Sequence, residues 1–403
     1  MTATFLRIAI VLGLISAVGP FAIDMYLPAL PSIGSDLSAS SGAVQMTLLA
    51  FFLAVSAGQV FVGPLSDMIG RKAPLYGGLG LFAAGGVGAA LSPTIEWLIF
   101  FRFVQGFGAC AGMVVPRAIV RDLHTGPEAT RLMALLMLVF SISPLLAPLT
   151  GSIVIGHLGW RAIFWVVTGA AVAGIVLLAL FQAETRPPQE RIGSGIRTAV
   201  TSYWYLLRDG RFLALTFIGG FGISSFFVYL SSSSFVFIDH FGLSPFEYSL
   251  AFSFNAISFF AMAQLTGTLT ERYGLERVVR VAVAGYLVFM ALLLAVTLAG
   301  IDSVGVLMGL LFIGYGFLGL VLPTTSVLAL DDHGPIAGAA SALMGTLQFA
   351  VGVLAMATVG YFSDGTALPM VAGIAGCALV AFLLAQFAVG RRDGAAKGSA
   401  PAK

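Results

Sequence analysis

GPLSDMIGRK, residues 63–72, closes one long apolar stretch of this chain, and GTLTERYGLER, residues 267–277, closes another. Gly63, Leu65, Asp67 and Gly70 match Gly267, Leu269, Glu271 and Gly274 at one constant offset. Each segment follows the second apolar run of its half of the chain. Self-similarity of this kind marks a duplicated architecture, and duplicated helix bundles are the usual plan of secondary transporters, with substrate handled near the middle of the membrane. The spacing, the acid and the place within each half agree, which argues against a chance match of turn residues.

Composition sets the solvent. Of 403 residues, 59% are hydrophobic and only 9% are charged, a balance that no water-soluble chain of this length can hide in a core. The chain therefore reads as an integral membrane protein. Its 49 glycines suit close helix packing in lipid, where small residues let backbones approach. Cys110 and Cys377 both lie in apolar runs and read as small core residues. His124, His157, His240 and His333 lie near span ends with no ligand-like spacing. The apolar N-terminus after Arg7 reads as a first span and not as a removable signal peptide, because no small-residue cleavage site follows.

A span needs about 20 mostly apolar residues. Twelve are predicted, at 5–29, 43–64, 74–92, 97–120, 130–155, 160–181, 212–236, 247–269, 279–299, 304–328, 336–361 and 367–389. The expectation is an all-α membrane protein with twelve transmembrane helices in two pseudo-symmetric six-helix bundles. Residues 1–182 form the first bundle, 183–210 a cytoplasmic linker, 211–390 the second bundle, and 391–403 a disordered cytoplasmic tail. Charge sets the orientation, because cytoplasmic loops are rich in Lys and Arg. With the N-terminus inside, Arg71, Lys72, Arg117, Arg121, Arg131, Arg186, Arg191, Arg197, Arg208, Arg211, Arg272, Arg277, Arg280, Arg391 and Arg392 all fall inside. The other side keeps Arg161 as its one base and gathers Asp36, Glu96, Asp239, Glu247, Asp302 and Asp364. Both termini are then cytoplasmic, in a bacterial inner membrane.

The chain resembles the major facilitator superfamily along essentially its whole length. GPLSDMIGRK is similar to the signature loop between spans two and three of that superfamily. RFVQGFGA, from Arg102, looks like the span-four pattern of its proton-coupled exporters, and SPLLAPLTGS, from Ser143, resembles the span-five antiporter pattern. DMYLPALP and YLSSSSF are similar to the bicyclomycin and chloramphenicol resistance branch, the Bcr/CflA type. The antiporter pattern ends in Gly-Pro, two residues, Gly-Gly; here Ala147-Pro148 is followed by Gly151-Ser152, so Ala and Ser fill two of the glycine positions. The resemblance implies an acid in span one as proton carrier, an Arg in span four as its modulator, and a loop between spans two and three that latches the outward-open state.

The residues carry a physical reading beside the resemblance. Asp24 stands in an otherwise apolar run, AIDMYLPALP, near Pro20, Pro28 and Pro31. An acid in hydrocarbon is expensive and faces a cavity or a partner. Counted from the outer ends of spans one and four, Asp24 and Arg102 both lie about 8–9 Å deep, at 1.5 Å per residue. A cavity that opens to each side in turn changes both the hydration and the charge around such an acid, so the acid can load a proton on one face and release it on the other. The competing reading is a fixed ion pair between Asp24 and Arg102 that ties two spans together. Gln105, one turn from Arg102, shares its face. Tyr26, Gln45, Gln105, Tyr229, Asn255, Tyr315 and Gln348 are polar handles in apolar spans, suited to orient a ligand held mainly by apolar contact, or to bond neighbouring helices. The resemblance makes Gly63, Asp67, Gly70 and Arg71 a conformational gate, the alternative being a basic loop that only fixes orientation; Asp122 is a partner for Arg71, and Asp67 on a turn is expected at a helix N-terminus, where the dipole favours an acid. Pro144 and Pro148 break the hydrogen-bond ladder of span five, and the resulting bend either seals the outer half or is a passive kink.

The function these readings favour is a secondary active transporter that exports small lipophilic drugs in exchange for protons by alternating access. The spans offer essentially one acid and one base, which suits a weakly polar ligand. An importer or symporter, or an exporter of a metabolite such as a sugar or amino acid, is the alternative. No nucleophile–base pair or metal spacing supports an enzyme, and no G-x-x-x-x-G-K loop supports ATP drive. A proton crossing about 150 mV supplies roughly 3.5 kcal/mol, enough for a gradient of a few hundredfold. No cofactor or metal is expected, the partners are the substrate, protons and the bilayer with no nucleic acid, and the chain is expected to act as a monomer.

Overall fold

The computed structural model describes residues 3–124, 126–191 and 196–388. Its elements are helical: α1 (Ala3–Asp24), α2 (Leu30–Asp36), α3 (Ser41–Ile69), α4 (Lys72–Ala90), α5 (Ile95–Leu123), α6 (Gly126–Leu158), α7 (Arg161–Phe181), α8 (Ile196–Leu206), α9 (Gly210–Ser234), α10 (Pro245–Tyr273), α11 (Leu275–Leu298), α12 (Val304–Asp331), α13 (Ala337–Tyr361) and α14 (Leu368–Ala388). Among the described residues, 12 helical stretches are long and apolar enough to cross a membrane, and they coincide with the twelve expected spans. Large apolar side chains such as Phe61, Leu91, Phe100, Leu180 and Leu354 are exposed, a surface that water would not tolerate and lipid does.

The repeat seen in sequence has a backbone cause. Gly70 and Gly274 take φ of +97° and +82°, in the left-handed region that favours glycine, and they end α3 and α10 at matching places. Other helix starts use side chains. Ser40 Oγ accepts from the Ala43 N–H at 3.3 Å. Asp209 Oδ1 accepts from the N–H groups of Arg211 and Phe212 at 2.8 and 3.0 Å. Ser244 and Glu247 form a reciprocal capping box ahead of Pro245, the first residue of α10.

Three details depart from the sequence reading. The first span does not stop near residue 29. A short 3₁₀ turn, Leu27–Ala29, leads into α2, because Pro28 and Pro31 fall at first-turn positions where no intrahelical N–H is needed. The seventh span ends in a π-helical turn, Phe235–His240. The stretch taken as a linker contains a 3₁₀ turn, Pro188–Arg191, and α8. The tail expected to be disordered, 391–403, lies outside the described residues.

Compactness divides the chain into two units. One holds Met1–Val200 together with Leu230–Ser253 and Gly360–Gly365; the other holds Thr201–Tyr229, Phe254–Val359 and Thr366–Lys403. In the first, α5 packs on both α3 and α4, and α1 packs on α5, α6 and α7. Gly106 permits the approach of α5 to α3: a Cβ there would meet the Phe51 backbone, with Cα at 2.9 Å and the carbonyl oxygen closer still. In the second unit, α11 packs against α12 and α14.

Candidate functional site

Asp24 is the last residue of α1 and only 5% exposed. Ser143 on α6 donates to its Oδ2 at 2.9 Å. Arg102 on α5 has no exposed surface at all. Its Nη1 donates to Gln105 Oε1 at 2.7 Å and to the Ala22 carbonyl at 3.3 Å. Its guanidinium lies 4.4 Å from the Phe51 ring centre, 4.6 Å from Tyr26 and 5.8 Å from Phe164. Nε and Nη2 of Arg102 are buried without a hydrogen-bond partner. Asp24 and Arg102 share the same end of α1, yet they form no ion pair with each other. The fixed-pair alternative is therefore not what the structure holds. The cation is balanced by π faces and neutral oxygens, each desolvated cation–π contact being worth up to about 2 kcal/mol.

The remaining polar handles divide by unit. In the first, Tyr26 bonds Thr47 Oγ1 at 2.9 Å, and its ring packs on Phe164. Gln45 is buried, and both of its amide atoms lack partners. In the second unit, Asn255 on α10 donates to the Tyr229 hydroxyl on α9 at 3.1 Å, while its Oδ1 stays unpartnered. The Tyr229 and Tyr315 rings stand 5.4 Å apart, with Phe226 at 5.9 Å from Tyr315. The Tyr315 hydroxyl, Gln348 Nε2 and Thr216 Oγ1 are buried and unpartnered. Unmet polar atoms inside apolar helices are costly, and a ligand or water normally answers them.

A second cluster is built on the turn between α3 and α4. Arg71 is 4% exposed and grips Asp122 in a bidentate fork, Nε to Oδ2 at 2.7 Å and Nη2 to Oδ1 at 3.2 Å. Its Nη1 donates to Ser66 Oγ at 2.8 Å and Asp67 Oδ1 at 2.7 Å. Burial works against this guanidinium, but Asp122 and Asp67 outweigh it and hold its pKa above the ordinary value. Asp67 itself lies in the last turn of α3, not at a helix N-terminus as the sequence suggested. The dipole is unfavourable there, and two arginines, Arg71 and Arg186, compensate. The acid at the helix N-terminus is Glu184, from the segment after α7. Its two oxygens accept from the Arg71 and Lys72 N–H groups, at 2.8 and 3.1 Å, just where α4 begins. Burial alone would raise the Glu184 pKa, but the N–H groups of Arg71, Arg186, Lys72 and Thr185 hold it below the usual range. The positive φ is what requires glycine at 70; a Cβ there would also meet the side-chain ends of Glu184, Oε2 at 2.6 Å, and Arg191, Nη2 at 2.5 Å, which would have to shift. Gly63, by contrast, has open space around its Cβ position.

Pro144 and Pro148 both lie inside α6, which runs on through them. Two serines of α10 reach this stretch: Ser253 donates to the Leu145 carbonyl and Ser249 to the Pro148 carbonyl, both at 2.9 Å. Ser143, Glu184, Phe51 and Phe164 were not among the expected site residues. Each is an ordinary residue type whose role comes from what another helix brings to it, and spacing carries no such signal.

Twelve apolar helices with a buried acid and base among them fit a multi-pass membrane transporter. The sequence model of the Major Facilitator Superfamily matches residues 12–356, and the chain belongs to that superfamily. It is 37% identical over 367 residues to the uncharacterized MFS-type transporter YdgK of Bacillus subtilis, covering 91% of each chain. It is 27% identical over 392 residues to the bicyclomycin resistance protein homolog of Haemophilus influenzae, covering 96% of this chain and 97% of that one. Among solved structures, a D-xylose–proton symporter superposes with a TM-score of 0.76 at 15% identity, covering 96% of this chain and 98% of the other, a likeness of fold.

Proposed function

We propose that this transporter exports small lipophilic drugs from the cytoplasm in exchange for protons, with Asp24 carrying the proton and Arg102 setting its hold. The observation that carries the reading is the isolation of Asp24. It is an acid inside the membrane that is buried, held by one neutral hydroxyl, and free of any ion pair with the nearby Arg102. A carboxylate locked in a salt bridge would resist protonation; one held by a serine can take up and release a proton as its surroundings change. Arg102, caged by aromatic rings, keeps the N–H donors of two nitrogens, Nε and Nη2, for a ligand or for Asp24 at another stage of the cycle. Relatives named for drug resistance support the class of cargo.

In this reading the protein has two six-helix halves joined by a cytoplasmic linker. It works as a monomer in the inner membrane with both termini inside, and it alternates between inward and outward access. The Arg71–Asp122–Asp67–Glu184 cluster then lies on the cytoplasmic side and stabilises one of the two states.

The test is proton-gradient-driven transport of chloramphenicol and bicyclomycin in inverted vesicles, comparing wild type with Asp24→Asn. Asn keeps the volume and cannot carry charge. Gradient-dependent accumulation should vanish while the protein still folds and inserts. Normal accumulation by the variant removes Asp24 as carrier. Accumulation of xylose or amino acids alone favours the metabolite alternative.

A further inference from the structure

We infer that Ser143 is a positioning residue through which the charge on Asp24 sets the conformation of α6; the inference rests on the proton-exchange reading above. Ser143 has no exposed surface and donates to Asp24 Oδ2 at 2.9 Å. It directly precedes Pro144, and Pro148 follows one turn later. A proline removes the N–H that would bond the carbonyl four residues earlier, so the backbone around Ser143 is held by fewer internal bonds than ordinary helix. External bonds hold the same stretch: Ser253 on the Leu145 carbonyl and Ser249 on the Pro148 carbonyl. Asp24 and the two α10 serines thus bond three points within six residues of α6, on either side of Pro144.

The direction of the Ser143 hydroxyl follows from the state of the acid. An ionised carboxylate accepts only, so the hydroxyl, 2.9 Å from Oδ2, must donate to it. A protonated carboxyl can donate in turn, and the serine hydroxyl is then released toward a backbone carbonyl of its own helix, where serine tends to bend the helix. In a segment already weakened by two prolines, that exchange alters the bend of α6 and strains the Ser249 and Ser253 bonds.

The other charged groups on the elements packed against α6 are engaged elsewhere. Helix α1 brings Asp24, and the turn after it brings the neutral Tyr26. Helix α5 brings Arg102, held by Gln105, the Ala22 carbonyl and three rings, and Arg117, which lies 5.3 Å from the Phe140 ring. Helix α10 brings Glu247, bonded to Ser244. Helix α7 brings Phe164, while its Arg161 is drawn to Asp36.

Hydrogen–deuterium exchange of purified full-length protein in detergent tests this without any drug. Exchange of the peptides spanning 140–155 is compared at acidic and alkaline pH, corrected for the intrinsic pH dependence. Wild type should show a pH-dependent difference there. Ser143→Ala should lose it while peptides from α11 and α14 stay unchanged, and Ser143→Thr, which keeps the hydroxyl, should retain it. Asp24→Asn should lose it as well. A difference that persists in Ser143→Ala overturns the inference even if Asp24→Asn abolishes it. A difference that persists in Asp24→Asn locates the titrating group elsewhere and removes the reading on which the inference rests. Unchanged exchange in all four proteins overturns the inference outright, while vesicle transport by Asp24→Asn independently decides the proton-carrier role.

Discussion

Arg71→Ala should be among the most damaging single changes in the first unit, and the structure says by how much. The side chain is 4% exposed and makes four charge-assisted hydrogen bonds, two of them to Asp122. Breaking a buried pair by removing one partner costs about 3–5 kcal/mol, whereas an exposed pair is worth about 0–1 kcal/mol. Asp122 is 17% exposed and Asp67 is 43% exposed, so water recovers part of the loss, and Asp67 keeps Arg186. The expected loss is about 3 kcal/mol for Arg71→Ala and about 2 kcal/mol for Asp122→Asn. Arg71→Lys keeps the charge but not the planar fork and should lose about 1–2 kcal/mol. Because the two side chains share a bidentate contact, the double variant should be less damaged than the sum, with a coupling of about 1.5–2 kcal/mol. Reversible unfolding in mixed detergent micelles of the four proteins completes the cycle. Additivity within about 0.5 kcal/mol would refute the reasoning, since contacting partners cannot behave as independent sites. In transport, Asp67→Asn should slow the cycle and leave drug binding in detergent nearly intact, as befits a latch; lost binding with normal cycling would point to a ligand site instead.

Three further expectations follow from single contacts. Gly70→Ala forces a left-handed backbone on a residue with a Cβ, at about 1–2 kcal/mol, and displaces Glu184 and Arg191; a variant as stable as wild type in the same micelle assay would contradict the turn geometry. Glu184 has a lowered folded pKa, so its stabilisation is present above the ordinary glutamate range and is lost as pH falls through the lower folded value; wild type should lose stability on acidification more steeply than Glu184→Gln, and parallel profiles would show that the clamp contributes nothing. Tyr229→Phe removes the hydroxyl that accepts from Asn255, and a loss near 0.6 kcal/mol is expected, with Asn255→Ala adding little to it; a loss above about 2 kcal/mol would mean that the bond holds more than one pair of helices.

Composition and period were enough to read twelve spans, because lipid leaves a spanning segment little choice but helix and little choice but apolar side chains. The duplicated loop was legible for a related reason: a turn that needs a left-handed backbone admits little besides glycine, so Gly70 and Gly274 mark it in any chain built this way. Asp24 and Arg102 were legible as exceptions, since an ionisable residue in hydrocarbon is rare enough to demand an explanation. Arg71 and Asp122 could be paired by their place at neighbouring span ends. What no linear reading could supply is the set of partners. Helix register places Arg102 against Phe51 and Phe164 and not against Asp24, and phenylalanines, of which the chain has 33, carry no mark of which one faces a cation. Asp67 was assigned to the wrong helix end because the span was expected to stop at residue 64, whereas α3 runs on to Ile69, just before Gly70. Glu184 reaches the start of α4 across 112 residues, and Ser143 reaches Asp24 across 119. Such contacts are decided only when the helices pack, because a serine or a glutamate means nothing chemically until folding places a donor or an acceptor beside it.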